Sequence, residues 1–194
     1  MTIASKSMGL TVGIVVDRED KKEQLGRVRL KLPLEKDRET DWCRVLMPFA
    51  GETHGAYSVP EKGDEVVVAY YAGDPKMLFV LGSIYSKKRK PPTTKVDERR
   101  FHTKAGTQVL VSDVEGEEKV LIETKNKQKV LIDEKSKTIT IANEHTIELA
   151  GEGKKVTVKS AGGNEIVLDD NANSIKVKAT TVEVVASSIA LKKG

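Results

Sequence analysis

The residues able to do chemistry are few and scattered. His54, His102 and His145 lie far apart in the sequence, and no nucleophile motif, phosphate loop or metal-ligand spacing accompanies them. The expectation is therefore no catalytic residue, no metal, no cofactor and no enzyme activity. One cysteine, Cys43, excludes an internal disulfide and a cysteine-based metal cage. It follows Trp42 in an apparent strand, where a free thiol is expected to act as a small buried hydrophobe. His145, between Glu144 and Thr146, reads as an exposed turn residue, with a metal shared among several chains as the alternative. Asp169, Asp170 and Asn171 read as a hydrated turn, with cation binding as the alternative.

The basic run Lys87-Lys88-Arg89-Lys90 could instead hold a phosphate backbone. Against this, 33 Lys and Arg face 29 Asp and Glu, an excess of only +4, and Asp37, Glu39 and Asp41 crowd the approach to Trp42. No nucleic-acid partner is expected. With 38% hydrophobic and 32% charged residues, no apolar run approaches the roughly 18 needed to span a bilayer. Met1-Thr2-Ile3-Ala4-Ser5-Lys6 has no long apolar stretch behind it, so synthesis and assembly in a cytoplasm without a signal peptide are expected.

The elements that must position these residues divide in two. All eight aromatics and all six prolines lie before position 102. Pro91-Pro92, directly after the basic run, interrupts any helix or central strand. In the first half, apolar residues alternate at residues 11–16 and at Val28, Leu30 and Leu32, the period of half-buried strands. Residues 42–47, 65–71 and 77–84 supply further strands. Gly63-Asp64 turns the chain into one of them, and Ala72-Gly73-Asp74-Pro75 joins the last two as a hairpin. Trp42, Gly63, Asp64, Gly73, Asp74, Pro75 and Gly82 are the expected structural residues of a small closed barrel such as an OB-fold.

The second half is a repeat of two β-branched or leucine residues separated by one polar residue. The units are Val109/Val111, Val120/Ile122, Val130/Ile132, Ile139/Ile141, Ile147/Leu149, Val156/Val158, Ile166/Leu168, Ile175/Val177, Val182/Val184 and Ile189/Leu191. Two apolar side chains per strand are too few to close a core inside one chain, so the units must stack against other copies. Three chains wound into a triangular prism would bury them along a shared axis.

In order along the chain, these residues resemble the spike proteins of contractile tails, namely phage baseplate assembly protein V and the spike part of type VI secretion VgrG proteins. The matching stretches are Val12-Gly13-Ile14-Val15, Leu25-Gly26-Arg27-Val28-Arg29-Leu30-Lys31-Leu32-Pro33, Trp42-Cys43-Arg44-Val45, Gly55-Ala56-Tyr57-Ser58-Val59-Pro60, Gly63-Asp64-Glu65-Val66 and Gly73-Asp74-Pro75 leading to Val80-Leu81-Gly82. Thr103-Lys104-Ala105-Gly106 is similar to the lead-in of such needles.

The resemblance implies an all-β homotrimer with an OB-fold collar and an intertwined triple-stranded β-helix. It implies four parts: an N-terminal extension at 1–8, the collar at 9–86, a linker and lead-in at 87–106, and the spike at 107–194. It implies a baseplate hub as partner, transient contact with a target membrane, and residence in a virion baseplate or a contractile injection particle. The end lacks a His-x-His metal apex. Ser188, Ile189, Ala190, Leu191, Lys192 and Lys193 are then the expected contacts for a separate PAAR-type tip protein. The alternatives are an OB-fold that binds single-stranded nucleic acid and a fibre or adhesin that uses the β-helix as a stalk.

Overall fold

The computed structural model describes residues 9–190, and they are all-β apart from two short 3-10 turns. The chain divides into two compact units between Pro91 and Pro92.

The first unit is a curled six-stranded sheet. Its strands are β1 (Leu10–Asp17), β2 (Arg29–Leu32), β3 (Arg38–Glu39), β4 (Arg44–Val45), β5 (Glu65–Tyr70) and β6 (Leu78–Ser83), in the order β3-β2-β1-β5-β6-β4. Two backbone hydrogen bonds between Val28 and Cys43, 3.0 and 2.8 Å, join the β2 side to the β4 side and curl the sheet towards a barrel. Period-two alternation sends Leu30, Leu32, Val66, Val68, Leu78 and Val80 inward, where they pack with Val15, Val28, Cys43 and Val59. Gly13 faces the same core. A Cβ there would stand 3.2–3.3 Å from Val68, Leu30 and Leu32, so the side chains close over bare backbone.

The expected turns are present. Ala72 and Gly73 take φ of 48° and 76° between β5 and β6, and the Asp74 carboxylate accepts the Lys76 N–H at 2.8 Å. Gly63 has φ 93°, and the Asp64 carboxylate accepts the Glu61 N–H at 2.8 Å. Pro75 offers its carbonyl to Arg38 at 3.2 Å. Gly82 pairs with Val67 beside a bulge in the β5–β6 ladder. Trp42 is half-buried and precedes β4, which is shorter than residues 42–47. Pro48, which has no N–H for a ladder, follows closely.

The second unit is a nine-stranded antiparallel meander. It runs β7 (Glu98–His102), β8 (Gln108–Ser112), β9 (Lys119–Glu123), β10 (Lys129–Asp133), β11 (Thr138–Ala142), β12 (Thr146–Ala150), β13 (Lys155–Lys159), β14 (Glu165–Asp169) and β15 (Ser174–Lys178). Each strand bonds to its neighbours in sequence. The sheet therefore begins one strand before the repeat, inside the stretch read as linker and lead-in.

It also ends two units early. Val182, Val184 and Ile189 lie in no strand, and Leu191 lies outside the described residues. Most of the hairpins close on a residue with positive φ: Gly116, Lys127, Lys137, Lys154, Gly163 and Asn173 take 72°, 66°, 50°, 48°, 83° and 46°. After β15 the spacing of the apolar pairs shortens to seven residues.

Candidate interaction face

The meander has two unlike faces, set by the pleat. Each of β8 to β15 sends its repeat pair to one side, and the antiparallel register aligns the pairs into two unbroken rows. One row runs Val109, Ile122, Val130, Ile141, Ile147, Val158, Ile166, Val177. The other runs Val111, Val120, Ile132, Ile139, Leu149, Val156, Leu168, Ile175. Phe101 on β7 stands opposite Val109 and begins the first row with an aromatic ring, 59% exposed. The sequence repeat gave no hint of it, because β7 lacks the apolar pair.

Among the described residues, nothing covers these rows. All of these residues except Val156 are exposed, from Val120 at 37% to Ile175 at 74%. In the second unit, among the described residues, Leu110 is the one fully buried hydrophobe. Ile122, Val130, Ile141, Ile147 and Val158 line a trough of about 550 Å³. Full burial of a Val, Leu or Ile side chain is worth roughly 1.5–3 kcal/mol, so this unit forgoes much of what a folded domain gains.

The opposite face carries Leu110, Leu121 and Leu131 side by side in its middle row and opposite charges facing each other in its flanking rows. Glu123 stands opposite Lys129, Lys119 opposite Asp133, Lys159 opposite Glu165, Lys155 opposite Asp169, and Glu165 also opposite Lys178. Lys155 Nζ reaches Asp169 Oδ2 at 2.9 Å, and this bond holds the Asp169 carboxyl below its ordinary range. A slip of one residue would turn the apolar rows to the other side and break these pairs.

Asp169 also accepts the Ala172 N–H at 3.1 Å, so the hydrated turn expected at 169–171 is tied down by its own chain. His145 is exposed, and its Nδ1 accepts the Ala161 N–H at 3.3 Å. Among the described residues, no group of three His, Cys, Asp or Glu side chains is placed to hold a metal. Of the basic run, Arg89 lies 4.0 Å from Glu65. Of the expected tip contacts, Ser188, Ile189 and Ala190 belong to no strand or helix, and Leu191, Lys192 and Lys193 lie outside the described residues.

In the first unit Cys43 is 4% exposed, and burial pushes its thiol pKa up, the opposite of what a nucleophile needs. Its Sγ lies 3.3 Å from Thr40 Oγ1. Trp42, Arg44, Tyr71 and Phe79 line a groove, with the Tyr71 and Phe79 rings edge-on at 5.7 Å.

Sequence reasoning missed the Asp20–Arg27 clamp. Arg27 Nε and Nη2 donate to the two Asp20 oxygens at 2.8 and 2.9 Å, and the Leu25 and Glu23 N–H groups add two more bonds. The Arg27 hydrogen bonds, with those backbone donors, lower the Asp20 pKa to about 2. The pair closes the loop between β1 and β2. The visible signal was only an acid and a base seven residues apart, which is common.

Residues 11–85 match the family described as the type VI secretion system/phage-baseplate injector OB domain. The chain is 26% identical over 113 residues to the type VI secretion system spike protein VgrG3 of Vibrio cholerae, covering 52% of this chain and 11% of that protein. It is 25% identical over 108 residues to the spike protein VgrG1c of Pseudomonas aeruginosa, covering 50% and 15%. It is 30% identical over 77 residues to the actin cross-linking toxin VgrG1 of Vibrio cholerae, covering 37% and 7%. The chain thus spans less than a fifth of the length of these relatives. Together they support the resemblance to VgrG-like spike proteins, with an OB-like curled sheet as the first unit. Among the described residues, no helix is long and apolar enough to cross a membrane.

Proposed function

From the premise that residues 11–85 carry an injector OB domain, we propose that this chain is a homotrimeric central spike of a contractile injection system. The observation that carries the proposal is the second unit's sheet, whose two apolar rows remain exposed over eight consecutive strands. Three copies with these rows turned to one axis form a three-sided prism. The opposite faces, with their cross-strand charge pairs, turn outward. At about 4.8 Å per strand, nine strands make each side on the order of 40 Å long.

In this reading the part is mechanical and needs no active-site chemistry. The collar joins the prism to a baseplate hub, the far end holds a PAAR-type tip protein, and sheath contraction drives the assembly into a target envelope. Burial shared among three chains cannot be undone one chain at a time, so resistance to load comes from topology. The test is delivery by the parent particle. Particles whose own copy is deleted regain delivery with this chain and do not regain it with Ile141→Asp, which sets three carboxylates on the axis. Full delivery with Ile141→Asp would refute the proposal.

A further inference from the structure

Repetition gives the two apolar rows a weakness. From β8 to β15 every member is Val, Ile or Leu, two to a strand, so one level of the seam resembles the next. The hairpin turns recur on the same edge at every second strand. Copies of the chain shifted by two strands, roughly 9.6 Å, would again set apolar pair against apolar pair and turn against turn. Only the layers at the two ends would be lost. Burial along such a seam discriminates poorly among alignments.

β7 breaks the repetition. Phe101 heads one row, and Arg99, opposite Val111, heads the other. Arg99 carries the one charge among the described residues of both rows. Its Nη1 donates to Asp113 Oδ2 at 3.0 Å and to the Asp97 carbonyl at 3.1 Å, and the Asp113 N–H donates to the same carbonyl at 3.0 Å. The pair is thus held in place, yet its side chains stay 65% and 64% exposed. A guanidinium has five N–H donors and a carboxylate two oxygens, so one contact leaves most of this fork unused on the face where the apolar rows lie.

We infer that Arg99 and Asp113 fix the alignment in which copies of this chain assemble. The inference rests on the trimer reading above and adds to it the residues that choose one alignment from several. In the matched alignment, each Arg99 offers its remaining N–H groups to the Asp113 carboxylate of the next copy. The first layer then closes as a ring of alternating charges, with the Phe101 rings beside it. In an alignment shifted by two strands, Arg99 stands level with Val120 and Ile122 of another copy, and its charge is buried without that second carboxylate. A single polar layer in an apolar seam sets the register of coiled coils for the same reason.

Disulfide cross-linking of the full-length chain reads the alignment. Ile139 on β11 and Val156 on β13 lie in one row, two strands apart. Each is replaced by Cys in a separate variant, Ile139→Cys and Val156→Cys, and the two are co-expressed and oxidised. Aligned copies bring like positions together and keep unlike ones at least roughly 9.6 Å apart, beyond the about 7 Å reach of a disulfide. Cys43, 4% exposed, does not compete. With Arg99 present, 139–139 and 156–156 dimers should dominate, and the mixed 139–156 dimer, distinguished by mass, should be rare. The mixed dimer should rise on the order of 10-fold in Arg99→Leu, which extends the apolar row, and in the uncharged Arg99→Gln. Light scattering gives the mass of each sample before oxidation. Trimers whose mixed fraction is unchanged in either variant would overturn the inference and leave the trimer reading standing. A monomer with Arg99 present would overturn the trimer reading and the inference with it.

Discussion

Lys155 and Asp169 stand directly opposite one another on β13 and β14, bridged at 2.9 Å, while the adjoining pair Val156 and Leu168 faces the other way. One register thus satisfies two demands, opposite charges together on the solvent side and apolar side chains together on the uncovered side. If charge helps to fix the register, Lys155→Glu should lower the melting temperature more than Lys155→Ala, because it adds repulsion to the lost pair. The gap between the two variants should shrink at 1 M salt. Equal melting temperatures at low salt would remove the charges from the account.

The two faces should respond unequally to the same insult. Ile166→Asp puts a carboxylate into an apolar row and should abolish trimer formation in size-exclusion chromatography. The neighbouring Val167→Asp points to the opposite face and should leave the trimer intact with a modest loss of thermal stability. Equal damage from both would show that the face assignment does not govern assembly.

Asp20 gives the first unit an acid limit. Its carboxyl titrates at about 2 when folded, below the roughly 3.9 of an unfolded aspartate, so its contribution is present above pH 4 and lost as pH falls from 4 towards 2. Asp20→Asn should destabilise the unit at pH 7 and flatten the part of the stability profile that lies in that window. Thermal unfolding followed between pH 2 and 7 measures it. An unchanged profile would show that the clamp is not the acid-sensitive element.

Gly26 is required by backbone conformation more than by space. Its φ is 65°, and a Cβ would approach Tyr57 Cε2 at 2.8 Å, but that ring is 76% exposed and can swing aside. Gly26→Ala should therefore cost about 1–2 kcal/mol, the price of a left-handed L-residue. Urea unfolding measures it, and Gly26→Ala with Tyr57→Ala should recover little. Full recovery in the double variant would make the ring the cause.

Much of the architecture was legible in the residues. The alternation of Leu30 and Leu32, the Ala72–Pro75 turn and the repeat pairs through Val177 all express period two and turn chemistry, which act locally. β7 was not legible, because Arg99 and Phe101 form no apolar pair and the strand exists only by bonding to β8. Val182 and Ile189 show the converse, an apolar pattern that lies in no strand. The Asp20–Arg27 clamp depends on a loop closing in space, which no periodicity records.

A nucleic-acid role would draw on the groove at Trp42, Arg44, Tyr71 and Phe79. The spike account expects no retention on immobilised single-stranded DNA at 50 mM salt beyond that of a protein of equal charge. Strong retention that vanishes at moderate salt and weakens in Arg44→Ala would favour the other role.

The central claim, that the apolar rows are covered by two further copies of the chain, is tested most directly by the mass of the purified full-length protein in solution. Multi-angle light scattering at micromolar concentration should give about 64 kDa, three times the 21.3 kDa of one chain. A folded species of about 21 kDa with its rows open to water would contradict it.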